Sequence, residues 1–189
     1  MSIKGKKLFT RGFTIIEIMV AMTIFVTVVV MCSGAILSIF NANQKSKSLR
    51  SVMDNLNLTM ESMTRAIRFG TNYHCGSIGD TTTPFDCSVP ANSLTVKDVG
   101  GVQTTYSLQN GRIVRTVAGT NFFMTSSDAN ITTLAFRVYG SPAYNSGADL
   151  FQPQVIIVVR GTVGSSNKAS AQSTFTLETT NSQRVFDFQ

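Results

Sequence analysis

The chain has few of the residues that catalysis uses. Its 189 residues include no tryptophan, three cysteines and a single histidine, His74. No serine, cysteine or aspartate stands at a recognised catalytic spacing from His74, and the sequence has no Gly-rich phosphate loop. A zinc site built on His74, Cys75 and Cys87 would lack a fourth ligand of the usual type and spacing. We therefore expect a protein that is not an enzyme and holds no metal or other cofactor.

Charge is absent from a long stretch near the amino terminus. Residues 18–40 are apolar apart from a few Ser, Thr and Gly and one Cys. A helix needs roughly 20 such residues to cross a hydrocarbon core of about 30 Å. The run exceeds the apolar core of about 7–15 residues in a secretory signal peptide, and Cys32 lacks the small residues that precede a lipoprotein cysteine. The pattern predicts a membrane-spanning helix at about residues 18–40.

One carboxylate, Glu17, stands at the head of this run. Without a partner it would cost about 3 kcal/mol at bilayer depth. Cleavage after Gly12 would supply a partner, because the new amino group of Phe13 would lie four residues, about one helical turn, from the carboxylate. That geometry is awkward within one helix, so the amine of a neighbouring copy is the better candidate. An unprocessed anchor would leave Glu17 unexplained.

These residues carry a family resemblance. A basic leader ending in Gly12, followed by Phe13-Thr14-Ile15-Ile16-Glu17 and a long apolar helix, resembles the prepilin signature of type IV pilins and of the pseudopilins of type II secretion and competence systems. The resemblance implies that a prepilin peptidase removes residues 1–12, that Phe13 is N-methylated, and that Glu17 meets a neighbour's amine during assembly. The implied partners are other pilin or pseudopilin subunits, the peptidase/N-methyltransferase, an inner-membrane assembly platform and the lipid bilayer.

The strong resemblance covers about the first thirty residues. A diffuse resemblance is to minor pilins of the W type and to J-type pseudopilins. It rests on the mature length, on residues 56–68 and on the closing segment through Arg184-Val185. It favours a tip or priming component. Whether the system secretes protein, takes up DNA or drives motility stays open.

The excess of basic residues in the chain mainly indicates how the protein is oriented in the membrane. The net charge is +6, and four cations lie in the leader, so removing the leader leaves 6 − 4 = +2. Basic residues before a first span stay in the cytoplasm, which predicts a single-pass inner-membrane protein with an extracytoplasmic carboxyl-terminal part, later in a pilus or pseudopilus. The charge gives no strong signal for a nucleic-acid partner, because the basic residues of that part are too scattered along the sequence to form an evident basic stripe: Arg112, Arg115, Arg137, Arg160 and Lys168.

The helix is expected to continue past the membrane. Residues 41–69 contain no Pro or Gly, and their apolar residues recur at intervals of three and four, which predicts one helix over residues 13–70 that ends at Gly70. Three methionines on its apolar side are expected to pack in the core and not to bind metal: Met53, Met60 and Met63.

Residues 71–92, rich in Gly, Thr, Ser, Asp and Pro, are expected to form an irregular loop. Cys75 and Cys87 lie in it, and an oxidising compartment favours a disulfide between them over two free thiols. Such a bond would stabilise the loop by about 3 kcal/mol on the chain-entropy estimate. Cys32 is expected to be unpaired.

The remainder has the two-residue period of β-strands. Asn110-Gly111 predicts a tight hairpin, and the apolar run 155–159 predicts a central strand covered on both faces. The expected fold is α+β, with the helix packed on an antiparallel sheet of about five to seven strands in a β-rich domain over 71–189, as in pilin-like proteins. The expected strands are 93–98, 101–108, 112–117, 131–139, 154–163 and 171–180.

A different class of function fits the same layout. A membrane-anchored binding domain, such as an adhesin or a sensor, would also have an external β-rich head. The two hypotheses differ at Gly12 and Glu17, which matter for a filament subunit and not for a solitary anchored binder.

Overall fold

The computed structural model of the protein describes residues 12–76, 80–142, 151–164 and 172–185. Two compact units divide the chain at residues 44 and 45, and the long helix contributes residues to both. Residues 1–11 of the expected leader, which comprises residues 1–12, lie outside the described residues. The elements are α1 (Ile15–Phe69), β1 (Thr71–Cys75), β2 (Cys87–Ala91), β3 (Ser93–Lys97), β4 (Gln103–Gln109), β5 (Arg112–Val117), β6 (Thr120–Phe123), β7 (Ala129–Tyr139), β8 (Gln154–Val163) and β9 (Ser173–Ser182).

In the first unit, α1 is apolar on all sides. Its few hydroxyl groups bond to the helix itself: Thr23 Oγ1 donates to the carbonyl oxygen of Met19 at 2.6 Å, and Ser33 Oγ donates to that of Val29 at 2.7 Å. Polar groups satisfied within one helix are compatible with a hydrocarbon environment. Length and composition also make α1 able to cross a membrane, as the sequence predicts.

In the second unit, α1 has one buried stripe. Leu56, Met63 and Ile67 are fully buried, and Val52 and Met60 complete the stripe at intervals of three and four. Met53 packs against the same core. The expected core role of the three methionines is therefore confirmed.

The helix ends at Phe69, as Gly70 predicts, but for a different reason. Gly70 does not adopt the positive φ of a left-handed cap. A Cβ at Gly70 would lie 2.5 Å from the carbonyl oxygen of Ala66 and 2.6 Å from Val96 Cγ2. Close approach of β3 to the helix end therefore requires glycine here.

The described strands form two antiparallel sheets, where the sequence predicts one sheet of five to seven strands. The first sheet has the order β1-β3-β4-β5-β6 and the second the order β2-β7-β8-β9. Side chains of α1 and of both sheets meet in one core, which includes Leu56, Tyr106 and Phe136. The number of sheets was predicted wrongly because hairpin signals reveal neighbouring strands and not the grouping of strands into layers.

The expected loop at residues 71–92 is a second correction. It contains β1, which pairs with β3, and β2, which pairs with β7. Residues such as Asn72 and Pro90 are unfavourable in strands, and edge positions tolerate them because one side of an edge strand makes no ladder bonds. The short strand β6 was also not predicted. The Asn110-Gly111 hairpin is confirmed, with φ of 51° and 70° at the two residues.

The strand β8 lies between β7 and β9, so its predicted central position is confirmed. Its two faces differ, however. Val155, Ile157 and Val159 are fully buried in the core, whereas Ile156 and Val158 on the opposite face are only half-buried. The expectation that both faces are covered is therefore wrong within the described chain.

Candidate assembly site at the start of the helix

The first turn of α1 is organised by Thr14. The backbone N–H of Glu17 lies 3.1 Å from the carbonyl oxygen of Thr14 and 3.4 Å from its Oγ1, and the N–H of Ile18 lies 3.2 Å from the same carbonyl. Thr14 is thus the amino-terminal cap, and Thr14-x-x-Glu17 matches a capping box. The capping role of Thr14 was not predicted, although the spacing of Thr and Glu before an apolar run signals it.

Glu17 occupies a position where a helix favours negative charge. It lies in the first turn, near the partial positive charge of the free N–H groups. It is also the sole charged residue among residues 12–44. Among the residues that the structure describes, Glu17 has no cationic partner. The ion pair found there joins Arg65 and Glu61.

Phe13 and Glu17 share an exposed groove. The groove encloses about 360 Å³ and is lined by Phe13, Glu17, Ile18, Ala21, Met22 and Phe25. Ala21 follows Glu17 by one turn and lies on the same side of the helix. Phe13 is 79 % exposed. An apolar groove with one carboxylate at its rim can receive another apolar helix that brings a cation.

Gly12 precedes the helix and is exposed. A Cβ at Gly12 would meet no atom within 4 Å, and no positive φ occurs there. Packing among the described residues therefore does not require glycine at position 12.

The predicted disulfide between Cys75 and Cys87 is present, with a Cα–Cα distance of 5.8 Å. It joins β1 at the edge of the first sheet to β2 at the edge of the second. Cys75 is 1 % exposed and belongs to the core. The bond therefore ties the two sheets together at their margins. Cys32 is a free, exposed thiol in the apolar part of α1.

His74 lies in β1 and not in an irregular loop. Its Nδ1 is 2.6 Å from the carbonyl oxygen of Thr83, so Nδ1–H donates a hydrogen bond to that oxygen, and its ring stacks on Phe85 with centroids 5.6 Å apart. Nearby, hydrogen bonds from Thr82 lower the pKa of Asp80, and the charge of His74 adds to this effect. Among the described residues no group of three His, Cys, Asp or Glu side chains could hold a metal ion.

Comparison with known proteins gives one match. The family model of the prokaryotic N-terminal methylation motif matches residues 9–33, which include Gly12, Phe13 and Glu17. No curated protein and no solved structure matches the chain. The motif supports a type IV pilin-like signature, and together with the long apolar helix it indicates a membrane-anchored protein. The chain thus carries a type IV pilin-like amino-terminal signature on an α+β fold in which one long helix precedes antiparallel sheets.

Proposed function

We propose that this chain is a structural subunit of a type IV pilus or of a type II secretion or competence pseudopilus. The observation that carries the proposal is Glu17, a single carboxylate at the rim of an apolar groove within a methylation motif. A pilin-type motif implies a prepilin peptidase and other subunits as partners. The peptidase would cut after Gly12 and N-methylate Phe13.

Assembly would then use the groove and the charge together. The ammonium group of Phe13 from one subunit would pair with Glu17 of its neighbour as the apolar helices pack. Either charge left alone in that environment would be costly, so the pair would set the axial register of the subunits. The apolar part of the helix would hold each subunit in the membrane before an assembly platform extracts it.

The disulfide supports an extracytoplasmic head over residues 71–189, because disulfides persist in oxidising compartments. A minor, tip or priming role is the finer proposal that the diffuse resemblance favours. Copy number in isolated filaments tests it: one or a few copies per filament would support a minor subunit, and a stoichiometric repeat would reject it.

Intact mass of the protein from cells with an active prepilin peptidase tests the proposal. We expect loss of residues 1–12 and the addition of one methyl group. A full-length, unmodified chain under these conditions would reject the proposed assembly mechanism. The remaining hypothesis would be an anchored adhesin or sensor.

Two substitutions separate processing from assembly. Gly12→Val should block cleavage, whereas Glu17→Ala should allow cleavage and abolish incorporation into filaments. Lys97→Ala is the control, because Lys97 is exposed on β3 and lies outside the helix that the proposed assembly uses. Normal incorporation of the Glu17→Ala chain would contradict the proposed pairing.

A further inference from the structure

Three basic residues follow the apolar part of α1. Lys45, Lys47 and Arg50 are exposed, and Lys45 is the first residue of the second unit. They are the sole charged residues between Glu17 and Asp54, so this part of the helix carries three positive charges and no carboxylate. We call these three residues the basic collar.

The basic collar lies outside the packed core of the second unit. Leu49 is the first residue of α1 that packs against this core, and Val52 is the first that is buried. At 100° per residue, Lys45 and Lys47 project on nearly opposite sides of the helix, and Arg50 lies about 60° from Lys47. A flat protein surface could contact one side of this arrangement, whereas a layer that surrounds the helix could contact all three cations. The basic collar therefore suits a layer of lipid headgroups better than a protein face.

The position of the basic collar after the apolar run fits the same layer. Residues 18–40 extend about 34 Å along a helix, slightly more than a hydrocarbon core of about 30 Å. Residues 41–44 are uncharged and add about 6 Å, which is close to the depth of one headgroup layer. The cations begin with the next residue. A span that fills the hydrocarbon core would thus bring them to the level of the phosphates, which long basic side chains can reach.

Neighbouring carboxylates offset little of this charge. Asp54 follows Arg50 by one turn, but the two form no ion pair among the described residues. Asp128 lies in the segment that contacts α1 beyond this point, and it accepts a hydrogen bond from the Ser126 hydroxyl at 3.2 Å. Lys47 has no ion-pair partner within the part of the chain that the structure describes. Asp54 therefore offsets at most one of the three charges.

We propose that the basic collar binds the phosphate headgroups of anionic phospholipids in the outer leaflet of the inner membrane. Ammonium and guanidinium groups donate charge-assisted hydrogen bonds to phosphate oxygens. Each basic residue near an anionic membrane surface strengthens the association about five-fold. The inference rests on the proposed function for the orientation of the chain, and it adds the lipid chemistry and the residues that recognise it.

Membrane orientation does not explain the basic collar. The leader carries four cations, and basic residues favour the cytoplasmic side of a span. The basic collar lies on the opposite flank, so its three cations weaken that bias and require another role. After cleavage behind Gly12, no basic side chain remains between Phe13 and Glu17. The basic collar would then hold the processed subunit at the membrane surface until the assembly platform extracts it.

Lipid selectivity of the full chain in vesicles tests the inference. The chain has no tryptophan, so Phe40→Trp places a single fluorophore at the end of the apolar run. The vesicles consist of phosphatidylcholine with a minor share of brominated phosphatidylglycerol or of brominated phosphatidylcholine, which quench a nearby tryptophan. We expect phosphatidylglycerol to be favoured at least about five-fold, the effect of one cation. Equal quenching by the two brominated lipids would overturn the inference.

Two matched variants separate the basic collar from net charge. The first replaces all three collar residues by glutamine, which has a helix propensity close to that of lysine and arginine. It should lose the preference for phosphatidylglycerol. The second removes the same charge from exposed strand positions and should keep the preference: Lys97→Gln, Arg137→Gln and Arg160→Gln. An equal loss in both variants would assign the preference to net charge and overturn the inference.

A photoreactive side chain at Ser46, which is exposed between the two lysines, identifies the occupant in cells. An adduct with the mass of an anionic phospholipid would support the inference, whereas adducts with protein or DNA alone would reject lipid as the occupant. A chain that keeps its leader in cells and still prefers phosphatidylglycerol would reject the proposed function and leave the inference intact. A processed subunit without that preference would reject the inference alone.

Discussion

The hydroxyl oxygen of Tyr73 lies 2.6 Å from the carbonyl oxygen of Ile67 and 2.9 Å from that of Gly70. Both carbonyls belong to the end of α1, where the helix has no further N–H groups to bond them. Tyr73 is fully buried in β1. One side chain of the first sheet thus closes the end of the helix.

Replacement of Tyr73 tests this closure. Tyr73→Phe should lower the free energy of unfolding by about 1–2 kcal/mol, because buried carbonyl groups lose their donor while the ring still fills its site. Thermal unfolding of the full chain in detergent, followed by circular dichroism, would measure the change. Tyr139→Phe is the control: Tyr139 is 40 % exposed, and its replacement should have little effect. Equal stability of the two variants would refute the capping role.

A second link joins α1 to the segment after β6. Asn55 Oδ1 accepts a hydrogen bond from the backbone N–H of Ser126 at 2.9 Å. Asn55→Leu removes the acceptor and should cost about 1 kcal/mol, or about 3 °C in melting temperature. Asn55→Asp keeps an acceptor of the same shape and should melt near the wild-type temperature. A loss as large for Asp as for Leu would show that the hydrogen bond is not the cause.

The Cys75–Cys87 bond should dominate the effect of reductant on stability. It closes a loop with a sequence separation of 12 residues, and its removal should cost about 3 kcal/mol. Denaturant unfolding with and without reductant would measure this difference. Cys32→Ala should retain the full sensitivity to reductant, and Cys75→Ala with Cys87→Ala should abolish it. If the double variant still loses stability in reductant, the Cys75–Cys87 bond is not the cause of the sensitivity.

Alkaline pH should destabilise the fold through Tyr106. Burial raises the pKa of Tyr106 from 10.0 to about 12, with the charge of Arg115 acting in the opposite direction. The folded state therefore keeps a proton that the unfolded chain releases above pH 10. Stability is fully present below pH 10 and falls as the pH rises towards 12, by about 2–3 kcal/mol for a shift of this size.

Tyr106→Phe isolates that contribution. The variant should lose less stability between pH 10 and pH 12 than the wild type, because residue 106 no longer ionises in the unfolded state. Denaturant unfolding at several pH values would give both slopes. Identical slopes would show that Tyr106 does not control the alkaline loss.

The local sequence pattern was sufficient to predict the elements that depend on residues close together in the chain. The period of the apolar residues from Val52 to Ile67 predicted the buried side of α1, since residues three and four apart share a helix face. Asn110-Gly111 predicted its hairpin because two adjacent positive φ angles suit those residues. The central position of β8 in its sheet was predicted correctly, but the partial exposure of its second face was not.

Pairing between distant segments could not be predicted in the same way. The strands β1 and β2 have few residues that favour strands, and partners far along the chain, β3 and β7, make them strands. Thr14 was overlooked as a helix cap, although its signal is local. The shared face of Arg137 and Arg160 depends on the register of β7 and β8, which no single segment encodes.

The sequence by itself determined the apolar helix and the position of Glu17 as the sole charged residue among residues 12–44, and it predicts a basic leader before them. These depend on composition and on spacings of a few residues, which local chemistry is enough to interpret. Only the tertiary structure decided that the strands divide into two sheets and that the Cys75–Cys87 disulfide joins their edges. It also decided that Arg137 and Arg160 lie on the same face of the second sheet. Those features arise from contacts between segments far apart in the chain, where register and layer order are set by packing of the whole core.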